Sequence, residues 1–531
     1  MVKLSRLPHL ALFLALAAAP ARAITPADIL VIGGRYDDLV SLDPAEIYET
    51  SGAEYAANVY DRLVTIVNGR PEGALAERWE VSPDGRRFAF FIRPGATFQS
   101  GTPVSAKDAA WSLVRAVKLD KGAAFLLKQL GLTANDAERR IQAPDERRLI
   151  LDLPEALAED FVLKALASWV GSVIDSALVR KFEQKGDFGN EWLKTRSAGS
   201  GAYKLSFWRP GEGLALDAFP RHWRGMASMK RVVFKHLAEP SVLRLMVAKG
   251  DLDVARGLSA DDLAALGRLT GVRVRTAPQA GLFYLAMNQR HPALSKAPVR
   301  QAIRRLIDYE GIAGRLLKDT KIPHQSILGE GFPGARLERP YRLDIEAARK
   351  LLAEAGIKPG QLTLALDVRN VAPSLDIAQA LQADFARAGI RLDLRPGDGK
   401  QVLTRYRARV HQLVLAQWSP DFLDPHSNAQ GFAWNPDNSD QSPFRLLAWR
   451  NAWEAPDLTR LVQRALRERD PNRRGDLYDE LQRRLLEDSP YAVMFQDRHV
   501  WAERVDVEGF ALGPGVDQLR LDQVSKRRAN P

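Results

Sequence analysis

The sequence predicts an α/β protein from its alternation of strands and helices, and its composition and lack of cysteine narrow the class further. Between residues 363 and 418, segments with strand character alternate with segments of helical periodicity, the pattern of βαβ units and a largely parallel sheet. The chain has 531 residues with 46% hydrophobic and 27% charged side chains, a globular composition long enough for about two to four domains. It contains no cysteine, which excludes disulfides, thiolate metal sites and cysteine nucleophiles.

The first 23 residues are predicted to be a cleaved signal peptide. Met1–Arg6 is basic, Leu10–Ala19 is an apolar run, and Ala21-Arg22-Ala23 has the form of a cleavage site. The apolar run is too short to span a bilayer, which takes about 20 residues. We therefore expect a periplasmic protein, and the absence of cysteine excludes a lipoprotein. The formal charge is +11, but basic and acidic residues are interspersed, so no nucleic-acid partner is expected.

The N-terminal half is predicted to mix strands and helices. Arg87–Arg93 alternates as a strand, and Ser105 has the position of a helix N-cap with Asp108 completing a capping box. Pro298 opens a further helix with an apolar face, and we expect the arginines on its other side to be solvated. Asp344 is predicted to cap the helix that follows.

The run from 363 to 418 is the clearest. Strands are predicted at Thr363–Val368, Ile390–Leu394 and Gln412–Trp418, with helices at Ser374–Ala388 and Gln401–Arg409. In parallel sheets, ligands bind beyond the carboxyl ends of strands. The loop at 419–425, which leaves the last strand, is therefore a candidate ligand site.

The sequence gives no positive sign of catalysis. Residues 329–334 match a dinucleotide-binding motif by letter, but no periodic helix follows, so we interpret them as a turn. Ser200 lies between two glycines ahead of an extended segment, which indicates a turn entering a strand and not a nucleophile elbow. His426 lies near two aspartates, but we expect a solvated loop histidine, no metal site and no cofactor.

A series of short phrases resembles one protein family when read in order. The chain is similar to the extracellular solute-binding proteins of family 5, which include the dipeptide- and oligopeptide-binding proteins of ABC importers. The phrases span roughly residues 40–500, and they include Asn58–Val64, Ala74–Glu80, Ser82–Gly85, Phe98–Val104, Gly199–Tyr203, Gly250–Asp253, Tyr284–Asn288, Val299–Ala302, Asp424-Pro425, Asp470-Pro471 and Pro490-Tyr491.

The resemblance implies a two-lobe periplasmic binding protein fold, type II-like and of cluster C, with a ligand between hinged lobes. Lobe one would comprise residues 24–279 and 495–531, with a small inserted subdomain at about 52–185, and lobe two would comprise 280–494. The implied function is capture of a solute and its delivery to an inner-membrane ABC permease. We expect a monomer that is not an enzyme.

The resemblance also implies site residues. In peptide-binding relatives, an aspartate in a Trp-x-x-Asp-x-x-Asp-Pro loop pairs with the ligand's α-amino group, and Asp421 occupies that position, following Trp418 and Ser419. A carboxylate in a closing cleft makes charge-assisted bonds to an ammonium, whereas Asp424 is expected to shape the turn. The other predicted contacts are Tyr48, from the segment after Asp43-Pro44, together with Arg450 and Asn288. Arg450 could hold a ligand carboxylate or lie at the surface.

The ligand class stays open at this stage. A short peptide or another amine-bearing solute fits the aspartate best, and relatives also bind opines, sugars, nickel complexes and haem. Stretch 428–453 departs from common peptide binders. A secreted peptide hydrolase is the alternative from another class, although no catalytic constellation supports it. A chaperone or receptor-docking role on the same fold is a third.

Overall fold

The structure is a computed structural model that describes residues 25–527, so the predicted signal peptide lies outside the described residues. Its strands are β1 Ile29–Gly34, β2 Val64–Val67, β3 Arg70–Gly73, β4 Ala76–Val81, β5 Arg87–Ile92, β6 Ile141–Gln142, β7 Arg148–Asp152, β8 Tyr203–Arg209, β9 Gly213–Ala218, β10 Arg231–His236, β11 Val254–Arg256, β12 Val272–Met287, β13 Lys321–Pro323, β14 Leu362–Arg369, β15 Ile390–Gly397, β16 Leu413–Trp418, β17 Tyr491–Arg504, β18 Val507–Glu508 and β19 Ser525–Lys526.

The α-helices are α1 Thr50–Val59, α2 Ala106–Leu119, α3 Ala124–Lys128, α4 Ala137–Arg140, α5 Glu159–Ala167, α6 Ser176–Val179, α7 Asn190–Leu193, α8 Pro240–Lys249, α9 Ala260–Leu266, α10 Ala297–Arg305, α11 Tyr309–Ile312, α12 Ile345–Glu354, α13 Ser374–Arg387, α14 Gly399–Arg407, α15 Pro425–Ala433, α16 Leu447–Arg450, α17 Pro456–Arg467 and α18 Pro471–Glu487. None of the helices within 25–527 has the length and apolar character that a bilayer span requires.

One eleven-stranded sheet runs through the molecule in the order β15-β14-β16-β12-β17-β11-β1-β10-β9-β8, with β13 beside β17. The predicted βαβ run is confirmed, because β14 pairs in parallel with both β15 and β16. The prediction of a largely parallel sheet is wrong for the sheet as a whole. The long strands β12 and β17 pair antiparallel with each other, and β12 also pairs antiparallel with β16.

Separate hydrophobic cores lie at the two ends of this sheet. One cluster is built mainly from residues 30–254 together with the C-terminal segment 501–524. Two further clusters are built from residues 280–495, on opposite faces of β12 and β16, and β14 contributes to one of them. We propose the predicted lobe boundaries, at 279/280 and 494/495, on the basis of this separation; only β12 and β17 pass through both sides as long strands.

The ladder between β12 and β17 is irregular where the strands pass between the cores. Its register shifts between Pro278 and Leu282. A Cβ atom on Gly281 would lie 2.2 Å from the Asp497 carboxylate, so glycine permits this close approach. The buried amide of Gln496 donates to the carbonyls of Gln279 and Glu330 and so ties the two strands to a neighbouring turn.

A second sheet lies within the N-terminal region. Its four antiparallel strands follow the order β4-β5-β7-β6, and α2 packs beside β6 and β7. The predicted strand at Arg87–Arg93 is β5, and the predicted capping box of α2 is present: Ser105 accepts from the Asp108 amide, and Asp108 accepts from that of Ser105. This sheet supports the proposal of a subdomain at about 52–185.

Helix α10 begins at Ala297, one residue before the predicted proline, and buries the predicted apolar face. The expectation that its arginines are solvated is wrong for two of them. Arg300 is 5% exposed and forms a bidentate pair with Asp488, and Arg304 is 2% exposed and donates to the carbonyls of Ser489 and Tyr491. These side chains join α10 to the end of α18 and to β17.

Candidate ligand-binding site

The candidate loop leaves the carboxyl end of β16 and ends where α15 begins. Asp424 is the N-cap of α15 and accepts a hydrogen bond from the His426 amide at 2.8 Å. It is fully buried, and Arg474 of α18 donates to both of its oxygens. Burial acts to raise the pKa of Asp424, but the charge and hydrogen bonds of Arg474, with the charge of Lys164, outweigh it and hold the pKa below its usual value. Asp424 therefore shapes the turn, as expected.

Asp421 lies in the same loop in a different environment. Its half-buried side chain forms no hydrogen bond or ion pair with another residue of 25–527. Burial raises the pKa of Asp421 to about 7, against a hydrogen bond from its own main-chain amide. A carboxylate that is desolvated and has no protein cation beside it is well suited to receive a cation from a ligand.

Trp418 and Ser419, at the start of the loop, differ in how much of each side chain is used in contacts within the protein. Trp418 is half-buried, packs edge-on against Phe432 at 5.9 Å, and donates its indole N–H to the Asn428 side chain at 2.8 Å. Only the ring face of Trp418 is left for contact with a ligand. Ser419 is exposed, with its hydroxyl free to bond outside the chain.

Tyr48 faces this loop from the other side of the cleft. It is 61% exposed and rests edge-on against Phe125 at 6.2 Å. Partial burial raises the pKa of Tyr48, and the charge of Asp421 raises it further, while the charges of Arg407 and Arg450 act to lower it. The Tyr48 hydroxyl is therefore within electrostatic range of one carboxylate and two guanidinium groups of lobe two.

Both arginines belong to lobe two. Arg450 ends α16, donates its Nε–H to the Arg445 carbonyl at 3.1 Å, and lies 5.4 Å from the Tyr406 ring. Its terminal nitrogens form no hydrogen bond within 25–527, so they can serve a ligand. Arg407, at the end of α14, is exposed and was missed by the sequence analysis. Its only sequence signal was a position at the C-terminus of a predicted helix on the same edge of the sheet.

The structure does not bring Asn288 to this group as a free side chain. It is 2% exposed, and both amide protons are donated to main-chain carbonyls, those of Arg409 and His411. Its amide oxygen accepts from the Arg290 amide. Because its bonding capacity is used within lobe two, we leave Asn288 out of the proposed ligand contacts.

Other reactive residues near the predicted motifs serve the fold. The expectation of a solvated His426 is wrong: it is buried, pairs with the Tyr478 hydroxyl at 3.2 Å, and burial lowers its pKa to about 4. Ser200 is buried and donates to Asp61, and His222 contacts the same carboxylate oxygen. The aspartate therefore lies between the serine and the histidine, which is not the order a nucleophile and its base require. Within 25–527, no group of three metal-ligating side chains is found.

The two lobes contact each other beside the candidate loop. Phe161 of α5 packs against Phe422 at 5.6 Å and against the His426 ring at 5.2 Å. Lys164 lies 4.0 Å from Asp424, and Asp160 lies 3.8 Å from Arg474. We call these six residues on α5 and lobe two, together with Arg474, the interlobe contact.

The comparisons with known proteins identify the family. The model of the family described as bacterial extracellular solute-binding proteins, family 5 Middle, matches residues 70–440. The chain belongs to this family. A probable D,D-dipeptide-binding periplasmic protein, DdpA, of Escherichia coli K12 is 28% identical over 97% of this chain and 98% of its own.

Solved structures of family 5 members share the fold. The periplasmic binding protein DppA from Helicobacter pylori, in complex with the peptide STSA, is 22% identical with a TM-score of 0.76, covering 94% of this chain and 98% of its own. AgaA from A. tumefaciens R10, in complex with agropinic acid, is also 22% identical, with a TM-score of 0.73 and coverage of 94% and 99%. The predicted family and the two-lobe α/β fold are confirmed.

Proposed function

We propose that this protein is the periplasmic solute-binding component of an ABC importer, and that it binds a short peptide or a related amine-bearing solute between its lobes. The family and its relatives support a binding protein for peptides or similar ligands. Export by the signal peptide, delivery to a permease and action as a monomer are parts of this proposal. So are the absence of an enzymatic activity and the choice of ligand.

The observation that carries the ligand proposal is the unpaired carboxylate of Asp421 in a cleft that two guanidinium groups also face. A free peptide is a zwitterion with an ammonium at one end and a carboxylate at the other. Asp421 would bind the ammonium, and Arg450 with Arg407 would bind the carboxylate in the bidentate geometry that arginine favours. Tyr48 would cover the ligand from lobe one, with the faces of Trp418 and the hydroxyl of Ser419 beside it.

The test uses peptides with and without a free amine. Calorimetry would compare alanyl-alanine, in its L,L and D,D forms, with the N-acetylated versions of both; the D,D form is included because of the relative DdpA. Asp421→Asn should weaken binding of the free peptides by about tenfold or more, since a hydrogen bond to a charged group contributes about 1.5–3 kcal/mol. Acetylation should have the same effect on the wild type.

The matched control is Asp376→Asn, an exposed aspartate on α13 of the same lobe. It should leave the affinity within about twofold of the wild type. Equal affinities of the wild type and Asp421→Asn would remove Asp421 from the site. Native mass spectrometry of the protein as purified would identify a retained ligand, and one without an amine would contradict the proposed ligand class.

A further inference from the structure

A large cavity lies between the lobes and adjoins the candidate loop, of which Leu423 and Pro425 line it. Its volume is about 1260 Å³, and none of the six predicted contact residues lines it. From lobe one it is lined by segments 57–79, 158–167 and 509–523, and from lobe two by the turn at 331–334 and the start of α18. Ligand cavities in proteins are typically about 300–1,000 Å³, so this space can hold a small organic molecule.

The walls of the cavity are largely apolar. Ile66 and Val67 of the β2–β3 hairpin line one side, and Leu423 and Phe332 line the other. Phe332 belongs to the turn that resembles a dinucleotide-binding motif by letter. This turn presents an aromatic ring to the cavity, and no helix follows it that could face a phosphate.

Six arginines line the cavity. Arg469 donates to the Pro83 carbonyl and Arg474 to Asp424, while the exposed Arg70 of β3 forms no hydrogen bond or ion pair within 25–527. The remaining three are Arg62, Arg224 and Arg520. Two of them have carboxylate partners: Arg62 lies 3.6 Å from Asp517, and Arg520 forms a bidentate pair with Asp522 at 2.9 and 2.7 Å. Each of these two guanidinium charges is therefore balanced within lobe one.

Arg224 differs from the other two. It is exposed and forms no hydrogen bond or ion pair with any residue of 25–527, and its guanidinium rests 4.3 Å from the Trp223 ring. The Asp61 carboxylate, which also lines the cavity, accepts hydrogen bonds from Ser200 and Trp223 and contacts His222. Although the Arg224 side chain is exposed overall, partial desolvation lowers its pKa, the charges of Arg520 and Arg62 lower it further, and the charges of Asp61 and Asp522 oppose the shift.

We propose that this cavity is a second binding site, which takes an organic anion with an apolar body and holds its carboxylate or phosphate headgroup on Arg224. A guanidinium that has no protein acceptor offers a fork of N–H donors that matches such a headgroup. The neighbouring Arg62 adds positive charge, while the apolar walls receive the body of the molecule. The site is proposed independently of the peptide site, because none of the proposed peptide contacts, from Tyr48 to Asp421 and Arg450, lines the cavity.

The test is calorimetric titration of the full mature chain with decanoate, and with decan-1-ol and decyltrimethylammonium as neutral and cationic counterparts. The wild type should bind decanoate at least about tenfold more tightly than either counterpart. Arg224→Gln should lose about tenfold or more in decanoate affinity, and Arg224→Lys should lose less because it keeps the charge. Arg221→Gln is the matched control, an exposed arginine three residues away that does not line the cavity.

The same titrations separate this proposal from the proposed function. Asp421→Asn should leave decanoate affinity within about twofold, and Arg224→Gln should leave dipeptide affinity within about twofold. No decanoate binding by the wild type, equal binding of decan-1-ol, or equal decanoate affinity in Arg224→Gln would each overturn the second site. A thermal melt of each variant confirms that it is folded, and Arg224→Gln removes no internal bond.

Discussion

Asp421 and Asp424 stand three positions apart in one loop, yet they have opposite electrostatic environments. Asp424 has a bidentate arginine, and Asp421 has no cationic partner within 25–527. The pKa of Asp421 is accordingly raised to about 7, while that of Asp424 is lowered. The first carboxylate is available to a ligand, and the second is held by the fold.

This difference predicts how ligand affinity depends on pH. A ligand ammonium pairs with ionised Asp421, and the free protein protonates this carboxyl below pH 7. Affinity for alanyl-alanine should therefore fall as pH is lowered, by about tenfold for each pH unit well below 7. Calorimetry between pH 5.5 and 7.5 measures this slope; above that range the peptide's own amine, with a pKa of about 7.7–8.0, begins to lose its proton.

Asp421→Asn should bind weakly and with a flat profile over the same range, because it removes the group that titrates. The stability of the ligand-free protein has the opposite dependence. A carboxyl whose folded-state pKa is raised destabilises the fold as pH rises from about 4 towards 7, and Asp421→Asn should abolish that contribution. A steep binding profile in the variant would assign the titration to another group.

For single residues, the sequence predicted which side chains lie in the candidate loop better than it predicted what surrounds them. The Trp-x-x-Asp-x-x-Asp-Pro phrase predicted that Asp424 shapes the turn, which the structure shows, and that Asp421 binds the ligand, which stays a prediction. It could not predict that Asn288 is committed to carbonyls of the 409–411 segment, or that His426 is buried under Phe161, because both depend on residues over 100 positions away. Arg407 was missed because an exposed arginine at a helix end has no distinguishing local pattern.

Helix α5 of lobe one and the start of α15 and α18 of lobe two form the interlobe contact. Lys164 is 2% exposed and approaches Asp424 across the lobes, while it also pairs with Asp160 on its own helix. This contact forms only when the lobes are close together. It should therefore favour the closed arrangement, and ligand affinity should depend on it.

We expect Lys164→Met to weaken dipeptide binding by about fivefold. Methionine keeps the length and apolar contacts of the side chain, and Asp424 keeps Arg474, so the cost is about 1 kcal/mol and not the 3–5 kcal/mol of an isolated buried charge. Calorimetry measures the affinity. The matched control is Lys118→Met, which breaks only the pair with the exposed Glu138 and should change affinity less than twofold. An equal effect of both variants would contradict a role in closure.

The elements themselves were well predicted where periodicity and caps coincide, as in α2, α10, α12 and the run from β14 to β16. The sequence did not predict which polar side chains on these elements are buried. The arginines of α10 follow the periodicity of a solvated face, but their partner Asp488 and the Ser489 carbonyl come from the end of α18, 185–188 residues later. Helical spacing states which face is apolar, and it does not state what covers the other face.

The whole molecule is joined by strands that the sequence did not reveal. Strand β12 pairs with β17 across more than 200 positions, and this antiparallel pairing turns two smaller sheets into one. The predicted parallel order came from local alternation, which carries no information on pairing at this distance. The register shift at 278–282 is the place where the continuous sheet can bend.

Hinge closure about this region gives the last prediction. The chain contains no cysteine, so Val40→Cys in lobe one and Leu403→Cys in lobe two, both at exposed positions, can carry a donor and an acceptor dye without other changes. Energy transfer between the dyes should increase on addition of the dipeptide that binds, since the lobes approach as the cleft closes. Asp421→Asn should need about tenfold more peptide for the same change.

A pair of dyes on lobe two alone, at Leu403→Cys and Val371→Cys, should show no change. Constant transfer at a peptide concentration that saturates calorimetric binding would rule out closure by the hinge, while leaving peptide binding itself intact.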